Sequence, residues 1–555
     1  SAIWPRIDWN YNILRRYIAG LIFLGTCTLI WTNLQFDLLT QIVGFMLANL
    51  GVAAAAVAAF YLNYKLPPVY RVRRLVLAGA LASTLILVLA TSFSAHGLAR
   101  KLAPQLFSQP AENVINWTFA KLVFPGEFMG VLTIYRASRT QNRIMEDPIM
   151  PAIVEFPTVV NEAVDVFGHH FANEPERKHF AEYLTGLFIA QNKNVSEINR
   201  QFAHTTDQSC LNRWVTEADW DVQELNQQRL DWLQEEPSTR YSAHGVIAID
   251  NTLVDHVGKR IEDVGFFWDH AEQRHKIAHD YLIANYVCTS GKHYPLDFRR
   301  FVQRERCAER GKTFHDHNEM FRELVDQTVQ SDIPGDFTFD CWFTHAKNLN
   351  HIHAHDRGYV GDLKFNRKIL FQGRPIKAED LAAQIEPADR KPVVIDGKKQ
   401  WYFTKSVNIG DVNHRVRIVI LWKRRNAKEP SKMLVCNRTR WEISRVLSVY
   451  RRRWPGTECF HRDGKQQLGM SDCQLRSGLG QTRHLYLVFL AHSLLMCQLQ
   501  QGRAHEWALE RLTTIGQACR AVLRETLSDT IAWTIERVQE DRWKPARVLA
   551  YLGLT

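Results

Sequence analysis

Three long apolar runs dominate the first hundred residues of the chain. They cover residues 17–36, 38–63 and 75–99, and between residues 17 and 64 the only acidic or basic side chain is Asp37. A helix of about 20 apolar residues is long enough to cross a bilayer. The pattern therefore predicts an all-α apolar segment over residues 1–144 that spans a membrane, with a buried helical hairpin as the alternative.

Basic residues around these runs predict an orientation. Arg15 and Arg16 precede the first run, and Lys65, Arg71, Arg73 and Arg74 separate the second run from the third. The positive-inside rule places both stretches in the cytoplasm. Three spans would then put the remainder of the chain on the far side of the membrane.

From about residue 148 the sequence has the charged residues that are typical of a soluble protein. Residues 194–202 and 207–216 have the pattern of two short helices separated by a polar turn. This resembles a helix-turn-helix with Arg213 on the DNA-facing side, although a plain helical packing unit has the same pattern. We therefore predict a helical DNA-binding region over residues 145–240.

Strand patterns follow. Residues 244–254, 336–343 and 359–370 have the apolar content of buried strands, and residues 344–356 have helical spacing. Four further strands are predicted over residues 392–395, 400–406, 415–423 and 432–437, and the chain turns helical after residue 441. Together these elements predict an α/β fold with a β-rich insertion at 373–440.

Composition narrows the class of protein. The 555 residues are 46% hydrophobic and 23% charged, which excludes a mainly disordered chain. Lys and Arg exceed Asp and Glu by 69 − 58 = 11, which fits a polyanionic partner such as nucleic acid or an acidic membrane face. The ten cysteines include no CxxC pair, so neither a disulfide framework nor a zinc ribbon is predicted.

Two acids follow buried strand patterns. Asp250 comes after the apolar run 246–249, and Asp340 comes after 337–339. A carboxylate at the end of a buried strand is costly unless it is paired or binds a cation. Either acid alone could be a strand-end cap, but two on separate strands favour a metal site.

A third acid lies in a strongly basic segment. Glu458 follows three arginines, Arg451 to Arg453, and a Pro-Gly pair, so we expect it in the first turn of a new helix. Lys465 lies seven positions on, about two helical turns later and on the same face. A carboxylate surrounded by this much positive charge suits a site where metal and phosphate meet.

The segment resembles the Tyr-Arg-Glu-Lys signature of bacterial insertion-sequence DDE transposases. Tyr450, Arg453, Glu458 and Lys465 keep its order, but four residues separate Arg453 from Glu458 where the family has three. We attribute the extra residue to a turn at Trp454–Gly456 before the helix. The resemblance extends from about residue 148 to the C-terminus, including the FANEPERKHFAEYLTGL stretch.

The resemblance implies an RNase H-like mixed sheet with flanking helices, divided into residues 241–372 and 441–555 by the insertion. It implies that Asp250, Asp340 and Glu458 are the catalytic residues and hold Mg²⁺, for which Mn²⁺ can substitute. The implied partners are transposon terminal inverted repeats, target DNA and a second copy of the chain in the synaptic complex. The residues expected to bind DNA are Tyr450, Arg453, Lys465, Arg452, Arg462, Lys423, Arg424, Arg425 and Arg213.

Several alternatives stay open. His275 and His279 have the i, i+4 spacing of a helical zinc pair, and histidines also cluster at 351, 353 and 355, so a structural zinc site competes with ordinary surface or DNA-facing histidines. The chain could also be a membrane-anchored protein with a degenerate nuclease-like or DNA-binding domain.

A transposase must reach DNA in the cytoplasm, at the nucleoid, whereas the three-span topology places the domain outside. We hypothesise that residues 1–144 come from another reading frame, through in-frame insertion of the element into a membrane-protein gene or an over-extended gene.

Overall fold

The computed structural model describes residues 151–258, 260–269, 272–395, 397–499 and 511–554. The three apolar runs at 17–36, 38–63 and 75–99 lie outside these ranges, as does the rest of the predicted segment 1–144. Over the ranges that are described, no helix combines the length and apolarity needed to cross a bilayer. The described residues belong to one compact unit that begins at Pro151.

The first part of this unit is helical. Asn173 caps the second helix by accepting the N–H of Glu176, and side chains of Asn194, Asp207 and Asp221 cap the next three. The five helices are α1 (Thr158–Phe167), α2 (Glu174–Ile189), α3 (Val195–Asn199), α4 (Gln208–Thr216) and α5 (Val222–Glu235), with a 3₁₀ turn at Gly168–His170.

A mixed sheet follows. Its first strand, β1, begins with the predicted buried apolar run 246–249 and continues through Asp250 to Asp255. The strands and intervening helices of the first half are β1 (Val246–Asp255), β2 (Gly265–Asp269), β3 (Arg274–Val287), β4 (His293–Phe301), α6 (Arg304–Glu309), α7 (His317–Gln330), β5 (Asp336–Phe339), α8 (Ala346–Ala354) and β6 (Tyr359–Asp362).

The predicted insertion is largely β-structure. A small hairpin and a helix come first, followed by four strands that lie where the sequence pattern places them. The elements are β7 (Lys368–Phe371), β8 (Arg374–Lys377), α9 (Ala378–Gln384), a 3₁₀ turn (Pro387–Asp389), β9 (Lys391–Ile395), β10 (Lys398–Val407), β11 (Val416–Trp422) and β12 (Lys432–Cys436).

The C-terminal part returns to helices, as expected. The longest, α13, begins with a capping box between Thr514 and Gln517. The elements are α10 (Ile443–Arg451), a π-helical turn (Pro455–Cys459), α11 (Phe460–Gln466), α12 (Gly478–Gln498), α13 (Ile515–Gln539) and α14 (Pro545–Tyr551).

The sheet order is β2-β3-β1-β5-β6-β12-β11-β10-β9, and β4 also pairs with β3. β1, β5 and β6 run parallel, whereas β3 is antiparallel to β1. Because β12 pairs with β6, the strands of the insertion continue this same sheet. The mixed α/β class predicted from the sequence is confirmed.

Helices cover both faces of the sheet. Ile247 and Ile249 of β1 pack into one core with α5, α7 and α8, while Val246 packs into another core beneath α10. A third core joins α1–α5 to α12 and α13. The region 145–240 and the C-terminal helices, which the sequence analysis treats as separate, therefore pack together.

Candidate active site

Two carboxylates lie side by side where two neighbouring parallel strands pair. Ile249 of β1 pairs with Phe339 of β5, so Asp250 and Asp340 are the next residues at the same edge of the sheet. Adjacent strands lie about 4.8 Å apart, which brings the two backbones close together. The two acids thus lie side by side, but the expectation that Asp250 ends its strand is wrong, because β1 continues to Asp255, and only Asp340 directly follows its strand.

Both carboxylates belong to the face of the sheet that α10 covers. Side chains alternate along a strand, and Val246, four residues before Asp250, lies in the core beneath α10. Asp336, four residues before Asp340, is paired with Arg445 of α10. A group presented from the α10 side can therefore meet both acids.

Arg453 is such a group. Its Nη1 donates a hydrogen bond to Oδ2 of Asp250 over 2.9 Å, and both side chains are mostly buried. Its Nε is buried without a hydrogen-bond partner among the described residues. The guanidinium thus pairs with Asp250 through one nitrogen, while a second nitrogen is buried without an acceptor.

Glu458 reaches the site differently from the prediction. The expected break at the Pro-Gly pair before a new helix is wrong, because helical backbone resumes at Arg453 and runs through the π-helical turn Pro455–Cys459 into α11. A π turn holds one residue more than an α turn, which accounts for the extra residue between Arg453 and Glu458.

Gly456 lets this turn lie close against the sheet. A Cβ atom there would come within 2.7 Å of Val287 and 2.8 Å of Ala248, on β3 and β1. Only glycine fits such a contact without displacing the backbone. Ala248 lies two residues before Asp250, so this packing fixes the position of the Glu458 turn against the strand that carries the first acid.

The site concentrates negative charge. Burial raises the pKa of Asp250 to about 7, with a further rise from the charge of Asp340, a reduction from Arg453 and a rise from Glu458. Burial also raises the pKa of Asp340, although the N–H groups of Trp342 and Phe343 bond to its Oδ1. The three acids supply carboxylate oxygens, which are the ligands that hard divalent cations prefer.

Another acid at this edge was missed in the sequence. Asp362 ends β6 and accepts hydrogen bonds from Lys432 over 2.8 Å and from the hydroxyl of Tyr450 over 3.3 Å. It also acts electrostatically on Asp340. The signal was present, because Asp362 follows the buried stretch 359–361 as Asp250 follows 246–249 and Asp340 follows 337–339.

The basic run Lys423, Arg424 and Arg425 lies at the same edge as the acids. β11 runs parallel to β6, since both pair antiparallel with β12, and it ends at Trp422 immediately before this run. All three basic side chains are exposed. Arg425 is partly engaged, because its Nε donates to the carbonyl of Pro387.

The remaining residues expected to bind DNA differ in their surroundings. Arg452 donates to the carbonyl of His244 over 2.6 Å, and Arg462 is exposed and paired with Asp463. Lys465 is half-buried, and burial lowers its pKa. Arg213 is exposed on α4, where its guanidinium contacts Ser209 and Cys210 of the same helix.

Two exposed tryptophans also flank the acids. Trp342 is 60% exposed two residues after Asp340, and Trp454 is 59% exposed next to Arg453. Exposed aromatic rings beside a basic surface are suited to stacking on nucleic-acid bases. Neither residue is marked by a spacing pattern, and only their positions beside the candidate acids could have singled them out.

The helical zinc pair proposed for His275 and His279 is wrong. Both residues lie on strand β3, where the side chain of His275 stacks on Phe266 and His279 contacts His256. Along a strand, residues four apart are about 13 Å apart, too far to share one ion.

A mixed sheet with carboxylates side by side on neighbouring strands and basic residues beside them suits metal-assisted chemistry at a phosphodiester. Residues 166–384 match the family model described as DDE superfamily endonuclease, so the chain contains a DDE transposase-type nuclease domain. The match includes Asp250 and Asp340 and ends before Glu458. Nucleases of this superfamily act on DNA and use divalent metal ions. Comparison with curated proteins returned no match.

Proposed function

We propose that this protein is a transposase that cuts the DNA ends of its own insertion sequence and joins them to target DNA. The observation that carries the proposal is the meeting of Asp250 and Asp340 with Arg453, which comes from the segment that also holds Glu458. This places residues from three distant parts of the chain at one edge of the sheet, beside exposed basic side chains.

The strand order supports an RNase H-like catalytic domain. The sheet contains adjacent strands in the order β4, β3, β1, β5 and β6. Strands β1, β5 and β6 are parallel to one another, and β3 is antiparallel to β1. The acids lie within β1, directly after β5 and on the helical segment after the insertion. This is the placement that the resemblance to insertion-sequence transposases implies.

Asp250, Asp340 and Glu458 are the residues that would hold Mg²⁺, or Mn²⁺ in its place. Carboxylate oxygens are the ligands these hard cations prefer. A pair of such ions supplies an activated attacking oxygen and neutralisation of the leaving oxygen at phosphorus.

The side chains around the acids would bind and orient DNA. Arg453 would hold positive charge beside the acids, where it favours the approach of a phosphate. The basic run at 423–425 extends the positive surface along the same edge, where it would contact the phosphates of the duplex. Trp342 and Trp454 offer two rings on which bases near the cut could stack.

The partners in this proposal are double-stranded DNA, both as terminal inverted repeats and as target, and a second copy of the chain in the synaptic complex. We place residues 145–555 in the cytoplasm at the nucleoid. Membrane association would depend on residues 17–99 alone.

The proposal is tested with the full chain and a duplex carrying the DNA end that borders its own gene. We expect Mg²⁺-dependent strand cleavage, and we expect Glu458→Gln to reduce the rate by about 10³-fold or more without abolishing DNA binding. Glu540→Gln, at an exposed glutamate that ends α13, is the matched control and should cleave at the wild-type rate.

Cleavage that persists undiminished in Glu458→Gln would contradict the three-acid site. DNA binding without cleavage in either Mg²⁺ or Mn²⁺ would reject the transposase proposal and favour a degenerate nuclease-like or DNA-binding domain.

A further inference from the structure

One carboxylate and two imidazoles meet between α7 and α8, away from the candidate active site. The Nε2 atoms of His351 and His355 lie 2.7 and 2.9 Å from the same oxygen, Oδ1 of Asp326. In the part of the chain that the structure describes, these three residues form a group whose ligand atoms all lie within 4.8 Å of one another. We propose that they bind Zn²⁺ or a related divalent transition-metal ion.

The local structure explains the convergence. His351 lies in the last turns of α8 and His355 caps its C-terminus, so the two rings are one turn apart on one helix face. Asp326 is in α7, which packs beside α8. Two histidines at i and i+4 with a carboxylate from a second element form a recurrent arrangement in zinc sites.

The donor set selects the kind of ion. Imidazole nitrogen suits zinc and other first-row transition metals, whereas Mg²⁺ prefers oxygen ligands alone. Three protein ligands leave a fourth position for water, as in zinc sites that are open to solvent. The three side chains are 28%, 33% and 37% exposed for His351, His355 and Asp326, so an ion and its water can enter from solution.

This site is separate from the three acids. α8 connects the parallel strands β5 and β6, so it runs back from the edge at which β5 ends towards the edge at which β6 begins. Asp340 lies at the first edge, and His355 lies at the C-terminal end of α8, near the second. One domain would thus hold two kinds of metal at opposite edges of its sheet.

A bound ion would join α7 to α8. The N-terminus of α8 follows the turn in which Asp340 accepts the N–H groups of Trp342 and Phe343. Zinc would therefore stabilise the helix that supports the second acid without contacting DNA. Because the ion binds the folded state, it should raise the thermal unfolding temperature, by an amount that grows with the logarithm of its affinity and concentration.

The experiment uses the full chain after removal of metals with a chelator. Calorimetric titration with Zn²⁺ should show one site in the wild type that is lost in the double variant His351→Ala/His355→Ala. Asp326→Asn keeps the shape of the side chain and should weaken this site by at least ~10-fold. Co²⁺, used as a probe, should give the visible absorption of a tetrahedral complex in the wild type only.

Two further variants identify the site. His353→Ala changes a histidine of the same helix that stacks on His414 at 3.8 Å, and it should leave Zn²⁺ binding unchanged. Asp250→Asn alters the candidate active site and should also retain the zinc site. Equal stoichiometry and affinity for Zn²⁺ in the wild type, the folded double variant and Asp326→Asn would overturn the proposal.

Discussion

The guanidinium of Arg453 is hydrogen-bonded to Asp250, a residue 203 positions earlier in the sequence. Burial lowers the pKa of the guanidinium, but the charge of Asp250 together with those of Tyr450, Asp340 and Glu458 outweighs this effect, so the net pKa of Arg453 is raised. The contact ties the helical segment that carries Glu458 to the strand that carries the first acid.

The first prediction concerns this contact. Arg453→Gln leaves Asp250 buried beside two other carboxylates with no positive partner from this position. We expect the rate of DNA cleavage to fall about 10²-fold or more, with a smaller loss for Arg453→Lys, since lysine keeps the charge but not the planar fork.

Cleavage rates at saturating Mg²⁺ provide the measurement. Arg374→Gln, at an exposed arginine of β8, should leave the rate unchanged. An Arg453→Gln protein that cleaves as fast as wild type would show that the contact has no role in the reaction.

The second prediction tests the packing of the π turn. Gly456→Ala forces a methyl group against Ala248 and Val287, so we expect a loss of about 1–3 kcal/mol in the free energy of unfolding. The displaced turn should also reduce cleavage, because Glu458 lies two residues on.

Denaturant unfolding and cleavage assays measure the two effects. Gly168→Ala is a suitable control, since its added Cβ would meet its nearest neighbour at 3.5 Å, an ordinary contact. If Gly456→Ala is as stable and as active as this control, the close packing is not needed.

The third prediction concerns acid stability. Burial lowers the pKa of His293 to about 4, that of His461 to about 3 and that of His484 to about 4, and it also lowers that of His492. In the unfolded chain these groups titrate near pH 6.5, so between about pH 4 and pH 6.5 the unfolded state binds more protons than the folded state does. The contribution of these neutral, buried histidines to the free energy of unfolding is therefore fully present above about pH 6.5, and it is lost as the pH falls towards about 4.

The dependence of unfolding free energy on pH, measured with denaturant, checks this prediction. His492→Leu should flatten the slope below pH 6.5 by about 1.4 kcal/mol per pH unit, which corresponds to one proton. His169→Leu changes an exposed histidine and should leave the slope as it is. The explanation would be wrong if the two variants had the same slope.

The fourth prediction concerns DNA affinity. Lys423→Ala/Arg424→Ala removes two exposed charges, so the slope of log affinity against log salt should become shallower by about 1.8, or about 0.9 for each lost phosphate contact. Binding of a duplex at several salt concentrations gives this slope.

Lys398→Ala/Lys399→Ala is the matched control, because it also removes two positive charges but takes them from the start of β10. An equal salt slope for wild type and the 423/424 variant would exclude this run from the DNA interface.

The sequence allowed much of the sheet to be predicted. β1, β5 and the four strands of the insertion follow short apolar or alternating runs bounded by turn residues, which is the pattern a strand needs. The long hairpin of β3 and β4 was missed, because Arg274–Val287 carries charged and histidine residues at positions that a local pattern assigns to no single face. Strand β3 pairs with β1 on one edge and with β4 on the other, so its burial is a tertiary effect that a local sequence pattern does not show.

The residues of the candidate site could also be predicted only in part. Asp250 and Asp340 could be singled out because each follows a short apolar run, and the same rule would have found Asp362. The hydrogen bond from Arg453 to Asp250 could not be predicted, because it depends on where a distant helix packs. The helical path through Pro455 was mispredicted, because Pro and Gly ordinarily interrupt helices.

The π turn at Pro455–Cys459 also bears on how this segment tolerates changes of length. One residue inserted into a regular α-helix rotates everything beyond it by about 100°. Such a rotation would swing Lys465 and the rest of α11 away from the directions set by α10. A π turn confines the additional residue to a local widening of the helix, so the helical stretches before and after it keep their orientation. The chain can thus carry a signature of altered spacing, whereas removal of a single residue here would be expected to restore a regular helix.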